Sequence, residues 1–549
     1  MVKALFTKYK YLFLVLAISL LAVFNLGNYG IPPTHDGEYN VMRSWQHYKV
    51  LSEGNLYPRW APDFNNGFGI PIFSYIYPLP SYVSSILHVA GFNFIDSFKL
   101  EMAIFTLMGA VFFYLWARKY WGEIGGAVSA IFYTFSPYHF VDIYVRGSAG
   151  EVASLGIFPG LLWAYLTFVE TKKYRYFIFS SLLLGLLIYA HNILALIFFV
   201  FFTIYSLFLI PISKRKKENF VNFILIIIIG LGLSAPFWLP ALFETPYVHG
   251  LQIFDVGQNF PELYQLLIPS WGYGLSPTDL VNPMSVQIGI ANLVAFFGSF
   301  IVLFFAKQKR IILFFIASFI VIFFLMTSNS AWVWHNIPLF SYFQFPWRLL
   351  SLEILICSFL AGSIVSDDIY KKKDKLKIVL SAILIFISVG LSFSYARAAK
   401  YYPRSDSHYL SRSNFTDGTN SLGNAFNTKW LNSIPKKAKN KIEITRGSGN
   451  LKIIELKSLS YIFNIESRRQ SNLLINTAYF PGWSAQIDGK ASTLHIQNGK
   501  MLLSVPSGNH NVKVYLGNTR IQEISYVYFL FSVLLLALLS GKTIAIIKE

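Results

Sequence analysis

Residues 193–211 read ILALIFFVFFTIYSLFLIP and contain no charged side chain. A helix needs about 20 apolar residues to cross the hydrocarbon core of a bilayer, so this run is typical of a membrane span. Similar runs recur along most of the chain. Together they predict a polytopic α-helical membrane protein.

The overall composition agrees with this interpretation. Of 549 residues, 54% are hydrophobic and 13% are charged, which excludes a water-soluble architecture. The single cysteine excludes disulfide scaffolds and cysteine-ligated metal sites. Of the net charge of +19, the segment 396–524 carries +11, and most other lysines and arginines lie in short loops between apolar runs, so no nucleic-acid partner is expected.

Twelve apolar runs are predicted to be membrane spans, and their boundaries divide the chain. They lie near residues 11–27, 98–117, 124–138, 152–169, 176–190, 193–211, 220–240, 285–306, 311–327, 349–366, 378–395 and 525–546. Loops on one side of these spans hold 22 Lys and Arg, against five in the membrane part on the other side. Because positive loops stay inside, we expect a multi-pass plasma-membrane protein with both termini cytoplasmic.

Two segments on the outer side are long enough to fold. One is the first outer loop, 28–97, and the other is the segment 396–524 before the last span. Alternating apolar runs in the second segment, with a hairpin signal at Asp488-Gly489, predict an extracytoplasmic β-sandwich-like domain. The predicted organisation is a transmembrane domain (1–395), the β-domain (396–524) and a final helix with a cytoplasmic tail (525–549).

The first outer loop opens with an acidic pair, Asp36 and Glu38, separated by one residue. If this segment is extended, the two side chains project in the same direction. Such a pair can take a proton from an attacking hydroxyl group or hold a divalent cation. A solvated Asp-Gly bend explains the same triplet about as well.

Isolated polar residues mark other outer span ends. Arg146 is the sole cation of its loop, and Glu151 begins a span, where an acid also complements the helix dipole. His191 lies in a turn of three residues, where it either binds substrate or caps a helical hairpin. Arg348 precedes a span as either a snorkelling interfacial cation or a phosphate ligand.

A secondary transporter places ionisable groups near the middle of the membrane. Apart from Glu353 and residues at span edges, the predicted spans lack such groups. The chain also lacks a glycine-rich phosphate loop with a lysine, a His-Glu-x-x-His motif and a Gly-x-Ser-x-Gly elbow. Nucleotide-driven chemistry inside the cell is therefore unsupported.

Several segments together resemble a known family. They are Tyr57-Pro58-Arg59-Trp60, Asn65-Asn66-Gly67, Arg146-Gly147-Ser148-Ala149-Gly150-Glu151, Phe345-Pro346-Trp347-Arg348 and Tyr479-Phe480-Pro481-Gly482-Trp483. They look like recurring motifs of the bacterial membrane proteins described as 6-pyruvoyl-tetrahydropterin synthase-related and of their YfhO-like relatives. The resemblance covers nearly the whole chain.

The resemblance implies a GT-C glycosyltransferase fold, with acidic residues in the first outer loop and a polyprenyl-phosphate sugar as donor. A cell-envelope glycan or lipid would be the acceptor. No cofactor is required, although the pair Asp36 and Glu38 is compatible with Mg²⁺ or Mn²⁺. The residues expected to contact substrate are Asp36 as base, Glu38 as its orienting acid, Arg146 and Arg348 on the lipid phosphate, and Arg59, His191, His35 and Glu151 around them.

Two other functions remain open from the residues alone. A lipid-linked saccharide transporter or flippase would show a polar path between helices that reaches the inner face. A non-catalytic membrane protein would bind glycan through the β-domain, with Asp36 only a turn residue. Convergence of Asp36, Arg146 and Arg348 within the reach of one substrate would favour catalysis.

Overall fold

The computed structural model describes residues 2–250, 259–370, 373–410 and 425–548. Parts of three segments lie outside these ranges: the loop between the predicted spans 220–240 and 285–306, the loop between the predicted spans 349–366 and 378–395, and the segment 396–524. The described chain is mostly helical. A region of two β-sheets precedes its last helix.

Helices of ten or more residues are numbered here in chain order. They are α1 Val2–Val23, α2 Gly37–Ser52, α3 Leu79–Val89, α4 Phe94–Thr134, α5 Ala149–Thr171, α6 Tyr174–Ala190, α7 Asn192–Ile212, α8 Lys216–Phe243, α9 Ile290–Phe305, α10 Lys309–Leu325, α11 Leu350–Ser363, α12 Asp374–Ser392 and α13 Arg520–Lys548.

The prediction of a multi-pass α-helical membrane protein is confirmed, but the count of twelve spans is not. Among the described residues, eight helices are long and apolar enough to cross a membrane, or nine if one pair bent by 86° counts as a single span. The predicted spans 98–117 and 124–138 lie on the two sides of a kink in α4, where Gly122 has non-helical backbone angles (φ +78°, ψ −178°), and α4 ends at Thr134. Helices α6 and α9 have only 17 and 16 residues.

Helix α5 occupies the centre of the bundle. It packs against α4 and α6, while α4 also packs against α1 and α11. Of the most apolar 18-residue window of α5, 89% is buried inside the protein. A polar side chain on α5 therefore faces other protein groups, and a charged one needs a partner among them.

In the described ranges, nine strands form two antiparallel sheets, in the orders β1-β4-β8-β7 and β2-β3-β9-β5-β6. They are β1 Ile442–Arg446, β2 Gly449–Leu456, β3 Ser460–Ser467, β4 Ser471–Ala478, β5 Trp483–Ile487, β6 Lys490–Ser492, β7 Leu494–Gln497, β8 Lys500–Val505 and β9 Gly508–Leu516. Buried residues alternate with more exposed ones along β3 and β8, as expected for strands with one face in a core. The predicted hairpin at Asp488-Gly489 joins β5 to β6.

The sheets are docked on the loop between α1 and α4. The backbone N–H of Ala478 donates to the carbonyl of Phe68 at 2.8 Å. Lys441 Nζ donates to the carbonyl of Gly67 at 2.7 Å, and burial lowers the pKa of Lys441 to about 7. These contacts hold the first long loop between the helices and the sheets.

Candidate functional site

The turn that carries Asp36 is attached by its backbone to the segment before α5. The N–H of His35 donates to the carbonyl of Val145 at 3.1 Å, and the N–H of Asp36 donates to the carbonyl of Arg146 at 2.8 Å. Gly147 follows with a φ of +62°, and a Cβ there would lie 2.2 Å from Thr34 Oγ1. Glycine is therefore required for this close approach.

Glu151 lies in the first turn of α5, and its carboxylate is fully surrounded by donors. Arg146 binds it in a bidentate manner, with Nη1–Oε2 at 2.5 Å and Nη2–Oε1 at 2.7 Å. Arg348 Nε donates to Oε1 at 3.1 Å, and Tyr138 Oη donates to Oε2 at 3.1 Å. Each carboxylate oxygen thus receives two hydrogen bonds, which fills its acceptor capacity.

This arrangement alters the interpretation of three predicted residues. Arg146 and Arg348 were expected on a lipid phosphate, and in this structure both face Glu151. Glu151 is 0% exposed, so its main contact is the pair of guanidinium groups and not solvent at a helix end. A buried carboxylate of this kind is stable only with such partners.

The short π-helix Val141–Arg146 places a second acid beside Arg146. Asp142 Oδ1 accepts from Arg146 Nη1 at 2.5 Å, whereas Oδ2 has no hydrogen-bond partner among the described residues. Burial raises the pKa of Asp142 well above its usual range. The sequence interpretation did not include Asp142, although its i,i+4 spacing from Arg146 is a known signal for a helical ion pair.

His191 ends α6 and caps α7. Its Nδ1 accepts the backbone N–H of Leu194 at 3.1 Å, so the capping role considered from the sequence is present. Its Nε2 lies 3.9 Å from Glu151 Oε1, and its ring centroid lies 4.6 Å from that of Tyr77. Burial lowers the pKa of His191 to about 3, so the ring is neutral at physiological pH.

The expected geometry of the acidic pair is wrong, because the segment is not extended. Asp36 is the N-cap of α2 and Glu38 lies in its first turn, so the two side chains leave different faces of a helix. Glu38 forms an ion pair with Arg404 and accepts a hydrogen bond from Tyr409 Oη at 3.2 Å. Asp36 is half-buried, and no hydrogen bond or ion pair engages its carboxylate in the described ranges.

Arg59 and His35 make no hydrogen bond or ion pair with the Glu151 carboxylate in the described chain. Arg59 donates to the carbonyl of Gly517 at 3.3 Å and to Asn518 Oδ1 at 3.0 Å, at the junction between β9 and α13. His35 directly precedes Asp36, and burial lowers its pKa. The Nε2 atom of His35 is buried without a hydrogen-bond partner in the described chain.

Sequence reasoning missed two residues near the cluster, Arg43 and Tyr77. Arg43 lies on α2, seven residues after Asp36, which is two helical turns along the same face. Tyr77 contacts His191 through its ring. The two-turn spacing was a usable signal for Arg43, but an aromatic residue in a loop offered none for Tyr77.

Two further features concern the acidic side chains: their arrangement for metal binding and the buried Glu353. Across the residues with described positions, no group of three or more His, Cys, Asp or Glu side chains is arranged to hold a metal ion. Glu353 on α11 is 0% exposed, and neither carboxylate oxygen has a hydrogen-bond partner there.

The fold and this cluster define a class: a multi-span membrane protein whose helix ends enclose paired arginines and acids beside a docked β-domain. Residues 73–398 match the family described as "6-pyruvoyl-tetrahydropterin synthase related domain; membrane protein". This match covers more than half of the chain, and the chain belongs to that family, as its motifs predicted.

One curated relative is a protein of Lactococcus lactis subsp. cremoris (strain MG1363), described as uncharacterized. It is 23% identical over 266 residues, which cover 46% of this chain and 42% of the relative. The chain therefore spans less than half of that protein.

Three solved structures are similar in part. The arabinofuranosyltransferase AftD from Mycobacteria has 14% identity and a TM-score of 0.47, over 71% of this chain and 27% of AftD. The Archaeoglobus fulgidus oligosaccharyltransferase tethered to an acceptor peptide has 14% identity and a TM-score of 0.47, over 73% of this chain and 56% of that protein. ArnT from Cupriavidus metallidurans bound to undecaprenyl phosphate has 14% identity and a TM-score of 0.37, over 68% of this chain and 63% of ArnT. At these TM-scores, function has to be inferred from the side chains of this chain.

Proposed function

We propose that this protein is an extracytoplasmic inverting glycosyltransferase that moves a sugar from a polyprenyl-phosphate donor to a cell-envelope acceptor. The observation that carries this proposal is the hydrogen bond of 2.8 Å between the Asp36 N–H and the Arg146 carbonyl. It attaches the backbone of Asp36, whose carboxylate has no hydrogen-bond partner in the described chain, to the backbone of Arg146.

The acids of the cluster divide into two kinds. Glu151 accepts from Arg146, Arg348 and Tyr138 and has no acceptor capacity left for a substrate proton. Asp36 is half-buried, and its carboxylate accepts no hydrogen bond within the described ranges. Asp36 is therefore the better general base, because a base must reach the proton that it removes.

The reaction needs little more than a base and positive charge. The acceptor oxygen attacks the anomeric carbon and forms a new C–O bond while its proton passes to Asp36. The bond from the anomeric carbon to the phosphate oxygen breaks, and its electron pair leaves with the polyprenyl phosphate. A phosphate leaving group is stable as an anion, and nearby guanidinium groups stabilise its developing charge. A single displacement inverts the anomeric centre.

The direct assignment of Arg146 and Arg348 to the phosphate stays a prediction. In the present arrangement they hold Glu151 in place and contribute positive potential to the site. Divalent-cation dependence also stays a prediction, and the positions of Asp36 and Glu38 on different faces of α2 do not favour it. Sugar transfer measured with and without a chelator distinguishes a cation-dependent reaction from a cation-independent one.

The test is sugar transfer by the purified full-length protein, supplied with polyprenyl-phosphate sugars and envelope acceptors. We expect Asp36→Asn to lower the transfer rate by about 100-fold to 10,000-fold, because the amide cannot accept the proton. The variant should unfold at the same temperature as the unmodified protein. Asp279→Asn, at an acid whose Oδ2 accepts the backbone N–H of Ser276 at 3.1 Å, is the matched control. Retained transfer by Asp36→Asn would remove Asp36 from this role.

A further inference from the structure

The hydrogen bonds of Glu151 to Arg146, Arg348 and Tyr138 are complete, whereas side chains beside this cluster have donors that remain unused. Arg43, Tyr77 and His191 present hydrogen-bond donors to which the described residues offer few acceptors. Such a donor-rich, acceptor-poor group is what an anion requires.

Arg43 is the clearest member of this group. The residue is 6% exposed, and its guanidinium makes one hydrogen bond to the described residues, from Nη2 to Asn40 Oδ1 at 2.6 Å. Asn40 is itself fixed, because its Nδ2 donates to the carbonyl of Gly147 at 2.9 Å. In the described part of the chain, no carboxylate oxygen lies within 4.0 Å of an Arg43 nitrogen.

Arg43 differs from the other two buried arginines of this region in its partners. Arg146 and Arg348 are equally buried, but both are ion-paired with Glu151. Removing a guanidinium from water costs free energy unless charge and hydrogen bonds replace the lost hydration. Among the described residues, Arg43 hydrogen-bonds one neutral acceptor, and the buried carboxylate of Glu101 acts on it only from beyond 4.0 Å, so its charge is only partly compensated.

His191 supplies a second donor through its tautomer. Because Nδ1 accepts the Leu194 N–H at 3.1 Å, the neutral ring carries its proton on Nε2. The separation of 3.9 Å from Nε2 to Glu151 Oε1 is too long for a hydrogen bond. The Nε2–H group therefore remains available to a ligand.

Tyr77 supplies the third donor and is held rigidly beside His191. Its ring fits against Gly150 of α5, where a Cβ would lie 2.3 Å from the Tyr77 ring. The Tyr77 hydroxyl makes no hydrogen bond to the described residues. Burial raises the pKa of Tyr77 to about 12, and the positive charge of Arg43 opposes this rise.

We propose that Arg43, Tyr77 and His191 form a binding site for a phosphate oxyanion. We assign this anion to the phosphate of the lipid-linked donor, an assignment that rests on the proposed function. Asp36, at the N-terminal end of α2, would then act on the acceptor. The same donors could instead hold free phosphate, so the two sources are separated by the choice of probe.

The experiment measures dissociation constants of the detergent-solubilised full-length protein for farnesyl phosphate, farnesol and inorganic phosphate. Loss of a hydrogen bond to a charged group weakens binding by about tenfold or more. We therefore expect Arg43→Gln to weaken farnesyl phosphate binding by at least about tenfold, and Tyr77→Phe to weaken it by about tenfold. Arg175→Gln, at an exposed arginine beyond α5, should bind as the unmodified protein does.

The probes identify the source of the anion. Tight binding of farnesyl phosphate without competition by millimolar inorganic phosphate supports a lipid-linked ligand. Equal competition by inorganic phosphate supports the oxyanion site and overturns its assignment to the lipid. Unchanged binding of farnesyl phosphate by both folded variants overturns the site itself. If Arg43→Gln does not fold, Tyr77→Phe decides alone, since it removes only one hydroxyl group.

This result is separable from the outcome of the transfer assay. Weakened binding in Arg43→Gln together with no sugar transfer by the unmodified protein would keep the anion site and overturn the glycosyltransferase. Transfer that is lost in Asp36→Asn but unaffected by Arg43→Gln would overturn the anion site and keep the enzyme.

Discussion

Two glutamates lie fully buried near the start of membrane helices, and their surroundings differ completely. Glu151 on α5 accepts four hydrogen bonds, three of them from Arg146 and Arg348. Glu353 on α11 accepts none from the described residues. Burial alone therefore does not identify a functional acid in a membrane protein. The partners decide whether its charge can be carried at that depth.

The strongest test of this contrast is Glu151→Gln. The amide removes the negative charge, which leaves the buried Arg348 without a carboxylate partner and Arg146 with Asp142 alone; breaking a buried ion pair in this way costs about 3–5 kcal/mol. We expect a large fall in the thermal unfolding temperature in detergent, together with loss of sugar transfer.

A matched control exists on the same helix. Glu170 pairs with Lys119 at 2.6 Å, and its side chain is 44% exposed. An exposed pair contributes about 0–1 kcal/mol, so Glu170→Gln should change the unfolding temperature little. Equal effects of the two substitutions would show that the Glu151 cluster does not stabilise the fold.

The acidity of the solution offers a second, smaller test of the same cluster. Burial holds the pKa of His191 at about 3, compared with 6.5 for a free histidine. Between these values the unfolded chain binds a proton that the folded chain does not. The contribution of neutral His191 to the free energy of unfolding is therefore fully present above pH 6.5 and is lost as the pH falls, at up to about 1.4 kcal/mol per pH unit.

The measurement is the unfolding temperature from pH 7.5 down to pH 5. His191→Asn is the matched variant, because asparagine keeps an acceptor at the N-cap of α7 but does not titrate in this range. Other buried histidines contribute in the same direction, since burial also lowers the pKa of His139 to about 4. Identical slopes for the variant and the unmodified protein would exclude His191 as a titrating group.

The contrast also explains which features were accessible from the sequence. Apolar runs such as 193–211 predicted helices because a membrane span has a strong local signal. The alternating runs of the segment 396–524, such as 461–465 and 501–505, correspond to strands, whereas β6 and β7 were missed because they have only three and four residues. The kink at Gly122 separates the predicted spans 98–117 and 124–138, so a glycine between two apolar runs was a usable signal for two helical segments.

The site was less predictable because its contacts are long-range. Arg348 reaches Glu151 across 197 positions of sequence, and no local pattern encodes that contact. The helix start at Gly37 was misread, since an Asp-Gly pair is equally typical of a bend and of an N-cap followed by a flexible residue. That error put Asp36 and Glu38 on one face and hid Arg43, which shares a helix face with Asp36.

The smallest expected effect belongs to Glu353. Because no hydrogen bond from the described residues engages either oxygen, replacing the carboxyl group by an amide of the same shape removes no interaction. We expect Glu353→Gln to change the unfolding free energy by less than about 1 kcal/mol and to leave sugar transfer intact. Both are measured beside Glu151→Gln in the same preparation. A folded Glu353→Gln variant without transfer would instead make Glu353 a working group within the membrane, as a transporter requires. A strongly destabilised variant would mean that Glu353 carries a charge with a partner, and the contrast between the two buried acids would then fail.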